Sequence, residues 1–288
     1  MAVRGSKQAL QHLYHIQGLA SFGGGLGRAS QACYSISTAG GIHPAETVEA
    51  EPVENQSTDR TKVLVLGGNG YVGSHVCKEA LGKGIPVMSL SRSGRPGIHE
   101  PWADNVTWVR GDLFEPAKWE NELDDVSAVI SCVGGFGSND QMRKINGKAN
   151  IEAINAAAES GVKRFVYISA HNFGLPSFVM RGYYEGKRSA EDELLRKFPY
   201  SGVILRPGFI HGVRQVGSVK LPLNIIGAPL EMLLKHTKSV SQVPVLGNLL
   251  LPPVKATTVA KAAIRAATEN SVPPGVMDVW GIMRLGDH

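Results

Sequence analysis

Acidic residues are absent from the first 45 positions of this 288-residue chain, where Arg4, Lys7 and Arg28 are the only Lys or Arg. Cysteine is scarce. Cys33, Cys77 and Cys132 are odd in number, far apart and without CxxC or CxxH spacing, which argues against both a disulfide framework and a zinc site. Reduced, buried thiols and no metal are expected. No window holds eighteen uninterrupted apolar residues, so no membrane-spanning helix is expected. The formal charge of +5 includes +3 from the acid-free start and +2 from all the rest. Without a clustered basic patch, nucleic acid is not an expected partner.

What fills the acid-free start is an amphipathic pattern. Ala9, Leu10, Leu13, Ile16 and Ala20 recur at helical spacing, with Lys7, Gln8, Gln11 and His15 elsewhere on the surface. A basic, acid-poor amphipathic start is the composition of an organellar transit peptide, expected over residues 1–44. The stretch "RASQACYS" from Arg28 to Ser35 resembles plant mitochondrial cleavage regions, so processing is expected between Arg28 and Ala45. The address is read as the mitochondrion, on the matrix side or peripheral to the inner membrane. Plentiful Ser and Gly keep the chloroplast as the alternative. Residues 45–60 turn acidic and polar, the composition of a linker.

Beyond the linker, "KVLVLGGNGYVGSHVCKEALGKG" joins a continuous apolar run, three glycines and a helical stretch. Val63 to Leu66 has no alternation, the pattern of a strand buried on both faces in a parallel sheet. Gly67, Gly70 and Gly73 follow, and Tyr71 to Leu81 reads as a helix. Strand, glycine turn and helix together hold a pyrophosphate. Glycines permit close backbone approach, and the helix N-terminus offers free N–H groups and partial positive charge. Gly67, Gly70, Tyr71, Val72 and Gly73 are therefore the expected pyrophosphate residues, with a positive φ expected at Gly70.

The second strand, in "IPVMSLSRSGRPG", ends in Ser91-Arg92-Ser93 where NAD binding favours an acid. Arg and hydroxyls suit a 2′-phosphate, so NADP(H) is expected over NAD(H). Asp112, after the third strand, is placed to accept from an adenine amino group, with Leu113 beside it. Gly134 and Gly135 let the backbone run along the cofactor after the fourth strand "VSAVISCVGG". The helix "QMRKINGKANIEAINAAAESG", the strand "VKRFVYISA", the helix "YYEGKRSAEDELLRKF" and the strand "SGVILRPGF" continue the alternation. Such repetition predicts an α/β fold, a Rossmann doubly wound parallel sheet over 61–210.

From Lys62 onward the chain resembles the short-chain dehydrogenase/reductase superfamily, in its extended and atypical branches. The resemblance rests on Gly67-x-x-Gly70-x-x-Gly73, Gly111-Asp112-Leu113, Ser169, Tyr183-x-x-x-Lys187 and "ILRPGFIHG". The wording looks closest to a mitochondrial branch holding the NADPH-carrying accessory subunit of respiratory complex I and a protein of the coenzyme Q biosynthetic complex. The resemblance implies that Tyr183 acts as acid or base at a substrate carbonyl. Lys187 would bind the nicotinamide ribose and lower the Tyr183 pKa, Ser169 would hydrogen-bond the substrate oxygen, and Pro207 would lie at the cofactor. Two departures stand out: the Ser169-to-Tyr183 loop is short, and Tyr184 competes for the role. His171 and His211 are further titratable residues near this end.

In the same superfamily a small substrate subdomain follows, expected here over 211–288. Two apolar clusters, Leu221 to Leu234 and Val243 to Val254, read either as its packed core or as a groove for a polyprenyl quinone. A patch against the inner membrane or a coenzyme Q or complex I assembly is the third reading, with Lys220, Lys235, His236 and Lys238 flanking the first cluster. Thr257 or Thr258 is the expected N-cap of the helix that follows. The sequence supports two functions: an NADPH-binding accessory protein, or an NADPH-dependent reductase of a carbonyl or quinone-type molecule.

Overall fold

The computed structural model describes residues 62–97, 100–173, 180–216, 219–222 and 251–287. They fall within one compact unit, Gln56–His288. The transit peptide, the acidic linker, Cys33 and most of the two apolar clusters lie outside the described residues.

Seven parallel strands form the central sheet: β1 Lys62–Leu66, β2 Val87–Ser91, β3 Val106–Arg110, β4 Val126–Ser131, β5 Arg164–Ile168, β6 Gly202–Leu205 and β11 Gly275–Met277. Their spatial order is β11-β6-β5-β4-β1-β2-β3. The remaining strands are short: β7 Ile210–His211 pairs parallel with β10 Val254–Lys255, and β8 Val213–Val216 forms a hairpin with β9 Val219–Pro222. This is the expected doubly wound fold.

The unalternating run of β1 explains itself in the two layers of core. Val63 and Val65 face one layer, packed with helices α1 Tyr71–Gly82, α5 Ala256–Thr268 and α6 Val279–Asp287. Leu64 and Leu66 face the other, built with α3 Ala149–Glu159 and α4 Arg181–Lys197. A strand covered on both faces has no use for polar alternation.

Residues 254–287, within the expected C-terminal subdomain, build back onto the sheet. β11 adds an edge strand beside β6, and α5 packs on α1. Buried Arg164, opening β5, donates to the carbonyls of Ala266 and Val272 and ties this return to the sheet. The expected cap at Thr257 or Thr258 is corrected. Lys255 is the N-cap residue of α5, without a side-chain bond, and Thr258 lies buried inside the helix, donating to Asp287 Oδ1 at 3.3 Å. The strand pair β7–β10 delivers the chain directly into the helix and leaves no turn for a threonine to cap.

Candidate functional site

From β1 the chain builds toward β2 and β3 on one side. It then crosses back to place β4 on the other side of β1. Ligands of open α/β sheets bind in the crevice that such a reversal opens beyond the carboxyl ends of the strands. Here the crevice lies between the loop after β1 and the loop after β4.

The first wall is backbone. Gly67 has φ +79°, the left-handed region open to glycine, and its carbonyl accepts the Gly70 N–H at 2.9 Å. A Cβ on Gly73 would stand 2.1 Å from the Gly67 oxygen, so nothing larger fits. Gly70 itself is extended, with φ −82° and ψ 177°. The expected positive φ therefore belongs to Gly67, because the chain reverses at the first glycine and has straightened by the second. Helix α1 begins at Tyr71 with no side-chain cap and no acid in its first turn. The N–H groups of Val72 and Gly73 are thus unmet within the helix, and with the glycines they fit a pyrophosphate. The Tyr71 side chain turns elsewhere, edge-on to His75 and with its hydroxyl toward Gly212.

At the end of β2, Ser91 donates to the Gly94 carbonyl at 3.1 Å and Asn69 donates to Ser93 at 2.6 Å. Arg95 is ion-paired with Asp104. Arg92 is exposed, and its guanidinium has no partner among the described residues, while its carbonyl is held by Arg110 Nε at 3.1 Å. Asp112 accepts the Phe114 N–H at 3.1 Å, and Leu113 is buried.

The second wall is side chains. Lys187, 3% exposed, donates to the Ile168 carbonyl at 2.9 Å and the Val133 carbonyl at 3.3 Å. A Cβ on Gly134 would lie 3.2 Å from its Nζ, so that glycine leaves room for the lysine. Burial pulls the Lys187 pKa down to about 7. Tyr183 stacks on Phe136 with centroids 5.2 Å apart, and Lys187 Nζ sits 5.9 Å from its ring. Burial, helped by Tyr184, pushes the Tyr183 phenol up to about 12. Ser169 is buried and donates its hydroxyl hydrogen to Glu191. Burial alone would raise the Glu191 pKa, but hydrogen bonds from Arg206, Ser169 and Arg188 hold it below the usual carboxylate range.

Tyr183 and Lys187 thus meet along one face of α4, one turn apart. Ser169 belongs to a different grouping, the cluster of buried Glu191 with half-buried Arg188 and Arg206. Pro207 is buried, and its carbonyl accepts the His171 N–H at 2.8 Å. His171 has its pKa lowered by burial, Arg188 and Arg206, and His211 is buried in β7. Cys77 and Cys132 are free thiols, with burial raising both pKa values.

Sequence reasoning missed Glu191, although its place four residues after Lys187 puts it on the same helix face. It also missed Asn146, whose side chain accepts the Gly135 N–H at 3.1 Å and donates to the Gly135 carbonyl at 2.8 Å. Asn146 lies in a π-helical stretch, Arg143–Lys148, between α2 Asn139–Met142 and α3. Its own carbonyl receives the Tyr167 hydroxyl at 3.0 Å and Asn150 Nδ2 at 3.1 Å.

Comparison with known proteins is consistent with this geometry. The NAD(P)H-binding family profile matches residues 67–221. A chloroplastic protein of Arabidopsis thaliana is 46% identical over 229 residues, covering 78% of this chain and 75% of that one. Component 2 of the MIOREX complex of Saccharomyces cerevisiae is 25% identical over 280 residues, covering 77% and 99%. The mitochondrial protein FMP52-1 of Scheffersomyces stipitis is 30% identical over 214 residues, covering 72% and 88%. The Bordetella bronchiseptica enzyme WbmH, solved with NAD+, shares the fold with a TM-score of 0.53 at 20% identity, over 76% of this chain and 74% of that one.

Proposed function

We propose a function from the premise that this chain belongs to the NAD(P)H-binding family, in an atypical branch of the short-chain dehydrogenase/reductase superfamily. It works as an NADP(H)-binding accessory protein of an organelle, serving coenzyme Q biosynthesis or respiratory-complex function, with the nucleotide as a structural or sensing ligand. One observation carries this reading: Ser169 gives its only hydroxyl hydrogen to Glu191 and has none left to polarise a carbonyl. The pKa directions agree. Lys187, pulled down to about 7 by burial, is only partly charged at neutral pH and does little to lower the Tyr183 pKa, which burial pushes up to about 12.

The nucleotide would lie on Gly67, Gly70, Gly73 and the first N–H groups of α1, with Arg92 toward a 2′-phosphate and Gly134 and Lys187 on the opposite wall. When bound, it would supply hydride chemistry. Residue composition over 1–44 and the organellar names of relatives support an organellar address. The amphipathic start favours the mitochondrion and the Arabidopsis relative the plastid. Imaging the full chain in plant cells with a C-terminal tag separates them, and cytosolic signal sinks both.

The second reading, an NADPH-dependent reductase of a carbonyl or quinone-type molecule, is favoured by the placement of Tyr183 and Lys187 on one face beside Gly134. Tyr183→Phe decides between the two. In an accessory protein it restores function fully to cells lacking the protein. In a reductase it lowers turnover by roughly 10²–10⁴, and loss of respiratory function at normal abundance overturns the accessory reading.

A further inference from the structure

Phe136 is 74% exposed, the most exposed phenylalanine among the described residues. Exposure of a lone aromatic is common on protein surfaces, but this one is held out by two separate devices. On one side, Asn146 grips both the N–H and the carbonyl of Gly135. On the other, Ser138 and Gln141 form a reciprocal capping box at the start of α2, with bonds of 3.3 and 3.0 Å. Phe136 sits between these clamps with glycine on either side. Its ring lies nearly parallel to Tyr183, at 15° and 5.2 Å, and Tyr184 meets Tyr183 edge-on at 5.4 Å. One face of Phe136 is therefore taken by Tyr183. Lys187 and Gly134 stand immediately behind, so the stack is at the mouth of the cleft.

We propose that Phe136 is a stacking platform for a planar conjugated ring, carried by a small molecule that binds at the mouth of this cleft. The chemistry follows from geometry. A ring already fixed in an offset stack presents its second face without further loss of side-chain freedom, and flat π-systems gain most from such a face. The glycines flanking Phe136 keep neighbouring side chains from crowding a ring laid upon it. Tyr184 stiffens the stack from the far side. The proposal deepens the functional reading above and rests on it only for the identity of the cleft as the nucleotide site.

Equilibrium dialysis of the full chain with duroquinone, a flat ring, and with cyclohexanedione, a puckered ring bearing the same two carbonyls, tests the platform. Duroquinone is expected to bind the native chain and to bind Phe136→Leu roughly three- to tenfold more weakly, the range of an aromatic stacking term. Phe136→Trp should bind at least as tightly as the native chain and show quenched tryptophan fluorescence on binding. Cyclohexanedione should not distinguish the three proteins. NADPH affinity should change little in any of them, since Phe136 is not part of the glycine turn, and Phe136→Leu should melt only slightly lower for the loss of its stack on Tyr183. Equal duroquinone affinity for the native chain and Phe136→Leu overturns the platform, as does failure of the native chain to bind duroquinone. If NADPH itself does not bind, the nucleotide reading fails, while the dialysis without nucleotide still scores the platform.

Discussion

The two walls of the cleft are made of different material. The wall after β1 is main chain, three glycines and an uncapped helix start, with exposed Arg92 beyond them. The wall on α4 is side chain, and its charged groups and Ser169 are bonded inside the protein. Ser169 gives its hydrogen to Glu191, Lys187 gives two of its own to carbonyls, and Arg206 and Arg188 hold Glu191 in turn. A main-chain wall can only hold a ligand. A side-chain wall can react with one, provided its groups are free to exchange protons. The contrast says that holding is built into this fold more securely than reacting.

The sharpest way to break the holding wall is Gly73→Val. Its Cβ would overlap the Gly67 carbonyl at 2.1 Å, and the atoms it meets are backbone, which cannot rotate away. Loss of the folded state is expected, by more than about 4 kcal/mol. Thermal melting checks it, and a variant that melts like the native chain would show the glycine turn to be looser than described. The same blow to the other wall is Glu191→Ala, which leaves the half-buried Arg188 and Arg206 without the buried carboxylate they share. A cost of about 2–4 kcal/mol is expected, below that of a fully buried pair because both guanidiniums can turn to water. Urea denaturation measures it, and a change below 1 kcal/mol would mean water reaches the cluster.

Acid and base sharpen the comparison next. In the unfolded chain Lys187 titrates near 10.5, whereas burial lowers it to about 7 in the folded one. Between those values the unfolded state binds more protons than the folded state. Stability therefore rises with pH from about 7 toward 10.5, and is lost as pH falls toward 7. Lys187→Met should flatten that slope in urea melts of the nucleotide-free protein. An unchanged slope would place the titration elsewhere. The smallest effect belongs to Arg92→Glu. On the proposed NADP(H) reading its exposed guanidinium would contribute about 1.5–3 kcal/mol toward a 2′-phosphate and nothing toward NADH, so calorimetry should show about ten- to a hundredfold weaker NADPH with NADH unchanged. Equal binding of both nucleotides by the native chain would end the NADP(H) assignment.

Legibility in the sequence followed the same division. The strand Val63–Leu66, the glycine spacing and the helix from Tyr71 are local patterns, and local patterns survive without knowledge of the fold. Gly70 was misjudged because a spacing marks which residues are glycine and not which one turns. The Ser169 partnership was not legible. Glu191 lies 22 residues further on and gains its meaning only when Arg206, from the end of β6, arrives beside it. The edge strand Gly275–Met277 was missed too, since three residues after two prolines read as a loop and pair only because β6 has a bare edge.

The packing of α5 on α1 sets an order of events in time. Helix α1 and the glycine turn it caps are made early, yet the apolar face of α1 is closed by Val259, Ala263 and their neighbours, nearly two hundred residues later. Until the end of the chain is available, α1 has only a strand behind it and exposes Val76 and Ala80 to water. Contacts this distant in sequence form slowly. A ribosome-bound chain therefore already carries its glycine signature while the helix behind it is uncovered, and it offers chaperones an apolar stripe for the whole of that interval.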